Sequence, residues 1–181
     1  MYVWTGLIFN KKIENDIRNI CTELNRDYQL SELSFTLPQH ISLKTSFDVP
    51  NYIEVLEQIK EIVSDQKIIN LKIGSITKIN NGIIWLDIME NAELRRIHNS
   101  LNTKLKEKFN IPLKGFDGEN FHFHSTLFQD PHIGDKHEIL LSKLKEKISL
   151  PWEIKSNEIR FGISQTGMVG TFREIDSLIL N

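Results

Sequence analysis

Hydrophobic and polar positions along the chain run through the same succession of periods twice. Residues 2–9 form an almost unbroken apolar run, the pattern of a buried strand. Ile13, Ile17, Ile20, Cys21, Leu24 and Tyr28 then recur at helical spacing and predict a helix over 11–28. A strand-like run follows over 36–47. Asp48-Val49-Pro50 opens a second helix to about 65, with Val55, Leu56, Ile59, Ile62 and Val63 on one side. Next come a strand over 67–79, the turn Asn80-Asn81-Gly82 and a strand over 83–89. Asn-Gly between Ile-rich runs marks a hairpin, because both turn residues tolerate positive φ.

The order then repeats. A helix over 91–109 carries Leu94, Ile97, Leu101, Leu105 and Phe109, and a loop with Pro112, Gly115 and Gly118 leads to a strand over 120–128. Asp135 followed by Glu138 resembles a capping box and starts a helix ending near 148. Strands over 152–163 and 168–180 close the chain. A strand–helix–strand–helix–strand unit therefore occurs at 2–79 and again at 83–163, with no linker between the copies. This predicts an α+β fold in a single bilobal domain over residues 1–181. Two antiparallel sheets surround a central cleft, with helices outside.

The third element of each unit carries the same short motif. His40-Ile41-Ser42-Leu43 and His124-Ser125-Thr126-Leu127 both read His, any residue, small hydroxyl, Leu. Residues two apart share a strand face. His40, Ser42, Lys44 and Ser46 are thus expected on one face, opposite Ile41, Leu43, Thr45 and Phe47. In the second strand, His122, His124, Thr126 and Phe128 are expected to share a face. A lone His beside a hydroxyl is usually a solvated surface feature. Two copies in matching context point to a symmetric site holding two imidazoles and two hydroxyls.

Bulk properties narrow the partners. With 40% hydrophobic and 25% charged residues the chain is an ordinary globular protein. A net charge of −2 gives no footprint for long duplex nucleic acid, while a short oligonucleotide or a small phosphate ester remains open. Cys21 is alone, which excludes a disulfide framework and a thiolate metal cluster. The apolar run at 2–9 is too short, and lacks the preceding basic region, to read as a signal peptide or membrane span. A cytoplasmic protein with no membrane partner is expected, and a monomer.

Paired imidazoles suit phosphodiester chemistry without a metal or other cofactor. An unperturbed pKa of about 6.5 lets one ring be neutral and accept a proton while the other is protonated and donates one. Ser42 and Thr126 would hold the non-bridging phosphate oxygens, and Lys44 would add a fixed positive charge.

At these residues the chain resembles the two-histidine (2H) phosphoesterase superfamily, in particular its bacterial 2′-5′ RNA ligase-like and RNA cyclic phosphodiesterase branch. Leu37-Pro38-Gln39-His40-Ile41-Ser42-Leu43 is similar to that family's first motif and Phe123-His124-Ser125-Thr126-Leu127 to its second. The resemblance implies hydrolysis of 2′,3′-cyclic phosphates or 2′-5′ phosphodiesters of nucleotides or RNA ends, with RNA ligation as the possible reverse. It implies His40 as proton donor, His124 as proton acceptor, and Ser42 and Thr126 as phosphate-holding groups. Ser42 stands where Thr is commoner, and His122 where many members have another residue, so His122 is carried as a further substrate-contacting candidate.

Other readings stay open beside this one. A non-catalytic module that binds RNA termini or nucleotides would use the same fold. His122 and His124, with His132 and His137 downstream, could be read as a zinc cluster, although the repeat pairs His124 with His40 instead. His98 reads as a structural residue beside a helical stripe. The runs at 104–108 and 143–147 read as solvated helix faces, and Lys114 and Phe116 could meet a nucleotide from the loop before the second motif.

Overall fold

The computed structural model describes residues 1–30, 37–79, 82–130 and 132–181. Residue 36 of the first expected motif strand, and Asn80 and Asn81 of the expected hairpin turn, lie outside them. In chain order the elements are β1 (Tyr2–Ile8), α1 (Lys11–Tyr28), β2 (His40–Ser42), β3 (Phe47–Asp48), α2 (Tyr52–Val63), β4 (Ile69–Ile79) and β5 (Ile83–Ile88). They continue as α3 (Ala92–Phe109), β6 (His124–Gln129), α4 (Lys136–Lys147), β7 (Trp152–Ser156), β8 (Glu158–Ser164) and β9 (Arg173–Ile179).

The duplication extends to element lengths and caps. Helices α1 and α3 each have 18 residues, and α2 and α4 each have 12. Asn10 caps α1 by accepting from the Ile13 backbone N–H, and Asn91 caps α3 by accepting from Glu93 and Leu94. Both long helices end on a residue in the left-handed region, Gln29 at φ 53° and Asn110 at φ 54°. The expected capping box of α4 is absent. Asp135 is already in the helical region and makes no side-chain cap bond, while Glu138 pairs with Lys78 of β4.

Among the described residues, nine strands form two antiparallel sheets. One has the order β2-β1-β8-β9, with β3 also on β1; the other has the order β6-β5-β4-β7. The sheets are not the two repeats. β4, which ends the first repeat, pairs with β5 of the second, and β8 from the end of the second repeat pairs with all of β1. The strand expected over 152–163 is accordingly broken at Asn157: β7 belongs to one sheet and β8 to the other. Each motif strand ends its sheet's path, and β2 lies against β6. The core runs through both sheets, with Val3, Leu7, Ile41, Leu43, Ile84, Leu86 and Leu127 fully shielded from water. α2 packs on α3, and α4 packs on α1 and β4. No helix among the described residues is long and apolar enough to cross a membrane.

Candidate active site

The seam between the motif strands is held by one buried side chain. Gln39, just before His40, donates from Nε2 to the Thr126 carbonyl at 3.2 Å, and its Oε1 accepts from the Ser125 hydroxyl at 2.8 Å. Two successive residues of the second motif are thereby bonded to the amide that precedes the first motif's histidine. Beside this seam opens a cleft of about 560 Å³ into which His40, Ser42, His122, His124 and Thr126 all face.

The two imidazoles are tethered alike. His40 Nδ1 lies 2.7 Å from the Pro38 carbonyl and His124 Nδ1 lies 2.9 Å from the His122 carbonyl, each two residues back along the chain. A carbonyl only accepts, so each Nδ1 carries the proton and Nε2 is left to exchange a proton with a ligand. Burial pushes the His40 pKa down to about 4, against the bond to Pro38, and the nearby His124 lowers it further. His124 is also lowered, first by burial and then by His122, while its backbone bond and Asp87 oppose the shift.

A tryptophan packs against each imidazole, by a different route. Trp85 on β5 pairs across the ladder with Thr126 and covers His124 at 4.1 Å between ring centres and 32° between planes. On β1 the residue opposite Ser42 is Gly6, and Trp4, two residues away, meets the His40 ring in a T at 4.6 Å and 77°. Glycine is required there. A Cβ at Gly6 would lie 2.5 Å from Trp4 Cζ2, and one at Gly162 of β8 would lie 3.0 Å from Trp4 Cε3.

His122 is about half exposed, and its ring stacks on Trp85 at 5.4 Å. Its Nε2 donates to Asp87 Oδ1 at 2.9 Å, and Asp87 Oδ2 accepts from the hydroxyls of Ser75 and Thr77 on β4. Burial works to raise the Asp87 pKa, but the Ser75, Thr77 and His122 hydrogen bonds hold it below the usual carboxylate range.

Two expected members of the polar face turn inward. Regular strand geometry stops at Ser42, so Lys44 leaves the cleft and is buried, its ammonium 2.7 Å from Asp117 Oδ2 and 2.6 Å from Asn102 Oδ1. It supplies no charge to the cleft. At the matching place in β6 a register shift opposite Ile84 and Trp85 turns Phe128 into the core, leaving it 1% exposed. The next residues, Thr45 and Gln129, line the cleft instead.

Gln39, Trp4, Gly6 and Asp87 were not apparent from the motifs. Signals existed in a Trp two residues before Gly on β1 and a Trp two residues before Asp on β5, but their meaning depends on strand register. The His residues weighed as a zinc cluster scatter: His137 Nε2 bonds the Ile83 carbonyl at 3.1 Å. Among the described residues no three His, Cys, Asp or Glu side chains converge as a metal site. His98 is buried, bonded to the Leu43 carbonyl, Asn102 and the Gly118 backbone N–H. Phe116, 79% exposed, stands at the cleft. Lys114 is turned to the Ser46 carbonyl.

Two antiparallel sheets with a His-hydroxyl motif on each facing edge define the two-histidine phosphoesterase class. The 2′-5′ RNA ligase superfamily model matches residues 12–161, and the chain belongs to that family. No curated protein matches the sequence. Among solved structures, TT0787 of Thermus thermophilus is similar with TM-score 0.66 and 12% identity, over 99% of this chain and 98% of that one. LigT of E. coli in its apo form gives TM-score 0.60 and 13% identity, over 98% and 96%. Usb1 of Kluyveromyces marxianus gives 0.51 and 16%, over 99% and 98%. LigT structures include complexes with ATP, NADP+ and 3′-AMP.

Proposed function

We propose that this chain is a metal-independent phosphodiesterase that opens 2′,3′-cyclic phosphates or cleaves 2′-5′ phosphodiester bonds of nucleotides or RNA ends. Family membership supports phosphoesterase or ligase chemistry in general. The observation that carries the finer reading is the identical Nδ1 tether of His40 and His124, which readies two Nε2 atoms in one cleft. One neutral imidazole takes a proton from water as its oxygen bonds to phosphorus. The ribose oxygen leaves phosphorus and takes a proton from the other, protonated imidazole. A phosphomonoester results, and the two rings have exchanged protonation states. Ser42 and Thr126 donate to the non-bridging oxygens, where charge is held while the bonds exchange. His122, which lines the cleft, meets the substrate from the second motif's side in this reading, and the same groups run in reverse would join RNA ends.

The test is turnover of 2′,3′-cyclic nucleotides and 2′-5′ dinucleotides by the purified chain, with chelator present and with His40→Ala and His124→Ala compared. Product from the parent protein, and its loss in both variants, is expected. Full turnover by either variant refutes the assignment. Tight binding with no product would identify a binding module instead.

A further inference from the structure

The cleft is rich in rings and poor in fixed charge. Its walls include Trp4, Trp85, Phe116, Phe121, Phe172 and Ile79, and its polar groups are imidazoles, hydroxyls and amides. All 22 Lys and Arg residues are among the described residues, and none lines it. The basic residues that neighbour the lining are placed elsewhere. Lys44 is buried against Asp117, Lys114 donates to the Ser46 carbonyl, and Lys78 pairs with Glu138. Arg173 follows Phe172, begins β9 opposite Ile163 and is exposed outside the lining. The fixed charge bonded to the lining residue His122 is negative, the carboxylate of Asp87.

Positive charge therefore enters this cleft only as a proton on an imidazole, and burial opposes that proton at both motif histidines. A single phosphodiester, with one negative charge, is balanced by one imidazolium. A second phosphate among the same largely apolar walls finds no Lys or Arg in the lining to meet it and loses part of its water. We propose that the cleft selects a single nucleoside carrying one phosphate, a nucleoside 2′,3′-cyclic monophosphate, over nucleotides with a further phosphate and over RNA strands. The aromatic walls take the base by stacking, and Phe116 is exposed at the cleft to do so. This rests on the phosphodiesterase reading for its turnover and on the cleft alone for its binding.

The experiment has both arms, with the full-length chain and chelator present. Kinetics compare adenosine 2′,3′-cyclic monophosphate with its 5′-phosphorylated derivative and with a dinucleotide ending in the same cyclic phosphate. Calorimetry compares adenosine 2′-monophosphate with adenosine 2′,5′-bisphosphate. The 5′-phosphate is expected to weaken kcat/KM and binding by about tenfold or more. Raising salt from about 50 to about 200 mM is expected to change kcat/KM less than about threefold, where six or more phosphate contacts would cost about a thousandfold. Asn120→Lys, which places a cation in the lining, is expected to narrow the bisphosphate gap. Equal or tighter binding of the bisphosphate, or a steep salt dependence, overturns the proposal. Absence of turnover with the expected binding order overturns only the phosphodiesterase reading, and binding of neither nucleotide overturns both.

Discussion

Across the ladder from His40 stands Ile8, a buried hydrocarbon; across from His124 stands Asp87. At the first corner Trp4 and the imidazole meet in a T, and at the second Trp85 lies over the imidazole with His122 stacked beside it. The backbone tether of the ring is the same in both. Duplication has thus preserved the hydrogen bond that sets the tautomer while the surroundings that set proton affinity have diverged. An imidazolium over an indole face with a carboxylate nearby is favoured relative to one buried opposite hydrocarbon. The second corner accommodates a proton more readily than the first, a resting preference opposite to the donor and acceptor roles that the resemblance implies.

The widest test of the comparison is removal of each imidazole. His40→Ala and His124→Ala should each lower kcat/KM by about 10²–10⁴, the usual worth of an acid or base. A variant that keeps activity shows that its corner has no chemical part. Next is the residue four places after each motif histidine, both turned inward but one a lysine and the other a phenylalanine. Lys44→Met should destabilise the fold by about 3–5 kcal/mol, because Asp117 is left buried and unpaired. Thermal or denaturant unfolding measures this, and an unchanged midpoint would mean the ion pair contributes nothing.

Thr126→Val should cost about ten- to hundredfold in kcat/KM, from losing one hydrogen bond to a charged oxygen worth about 1.5–3 kcal/mol. Ser42→Ala should match it if the hydroxyls act equivalently. The pH profile is the finest probe. Catalysis needs one imidazole neutral and one protonated, so kcat/KM peaks between their two pKa values. His40 lies near 4 and His124 is lowered from 6.5, which places the optimum on the acid side of 6.5. Asp87 supports the proton on His124, so Asp87→Asn should move the limb belonging to His124 to lower pH and leave the other in place. An optimum above 7, or movement of both limbs together, contradicts the asymmetry.

The duplicated order, the helices and the two motifs could be read from the sequence because periodicity and spacing are local. Asn10 and Asn91 stand where capping residues belong, and Leu43 and Leu127 point into the core as alternation requires. What escaped depends on register between strands. Strict alternation puts Lys44 and Phe128 on the polar face, and it fails where β2 stops and where β6 shifts register. Asp87 gains meaning only once β5 is aligned with β6, and Gly6 only once Trp4 is seen to cross it. The exchange of β4 and β8 between sheets has no local signature, since both strands show the same apolar pattern in either sheet.

That exchange bears on how the molecule is made. A nascent chain that has emerged through Gln129 has released both motifs, yet β1 still lacks the strand that pairs with all seven of its residues. Competence therefore waits until β8 has emerged. Fragments divided near residue 80 should remain inert singly and regain function when coexpressed, each donating a strand the other cannot supply.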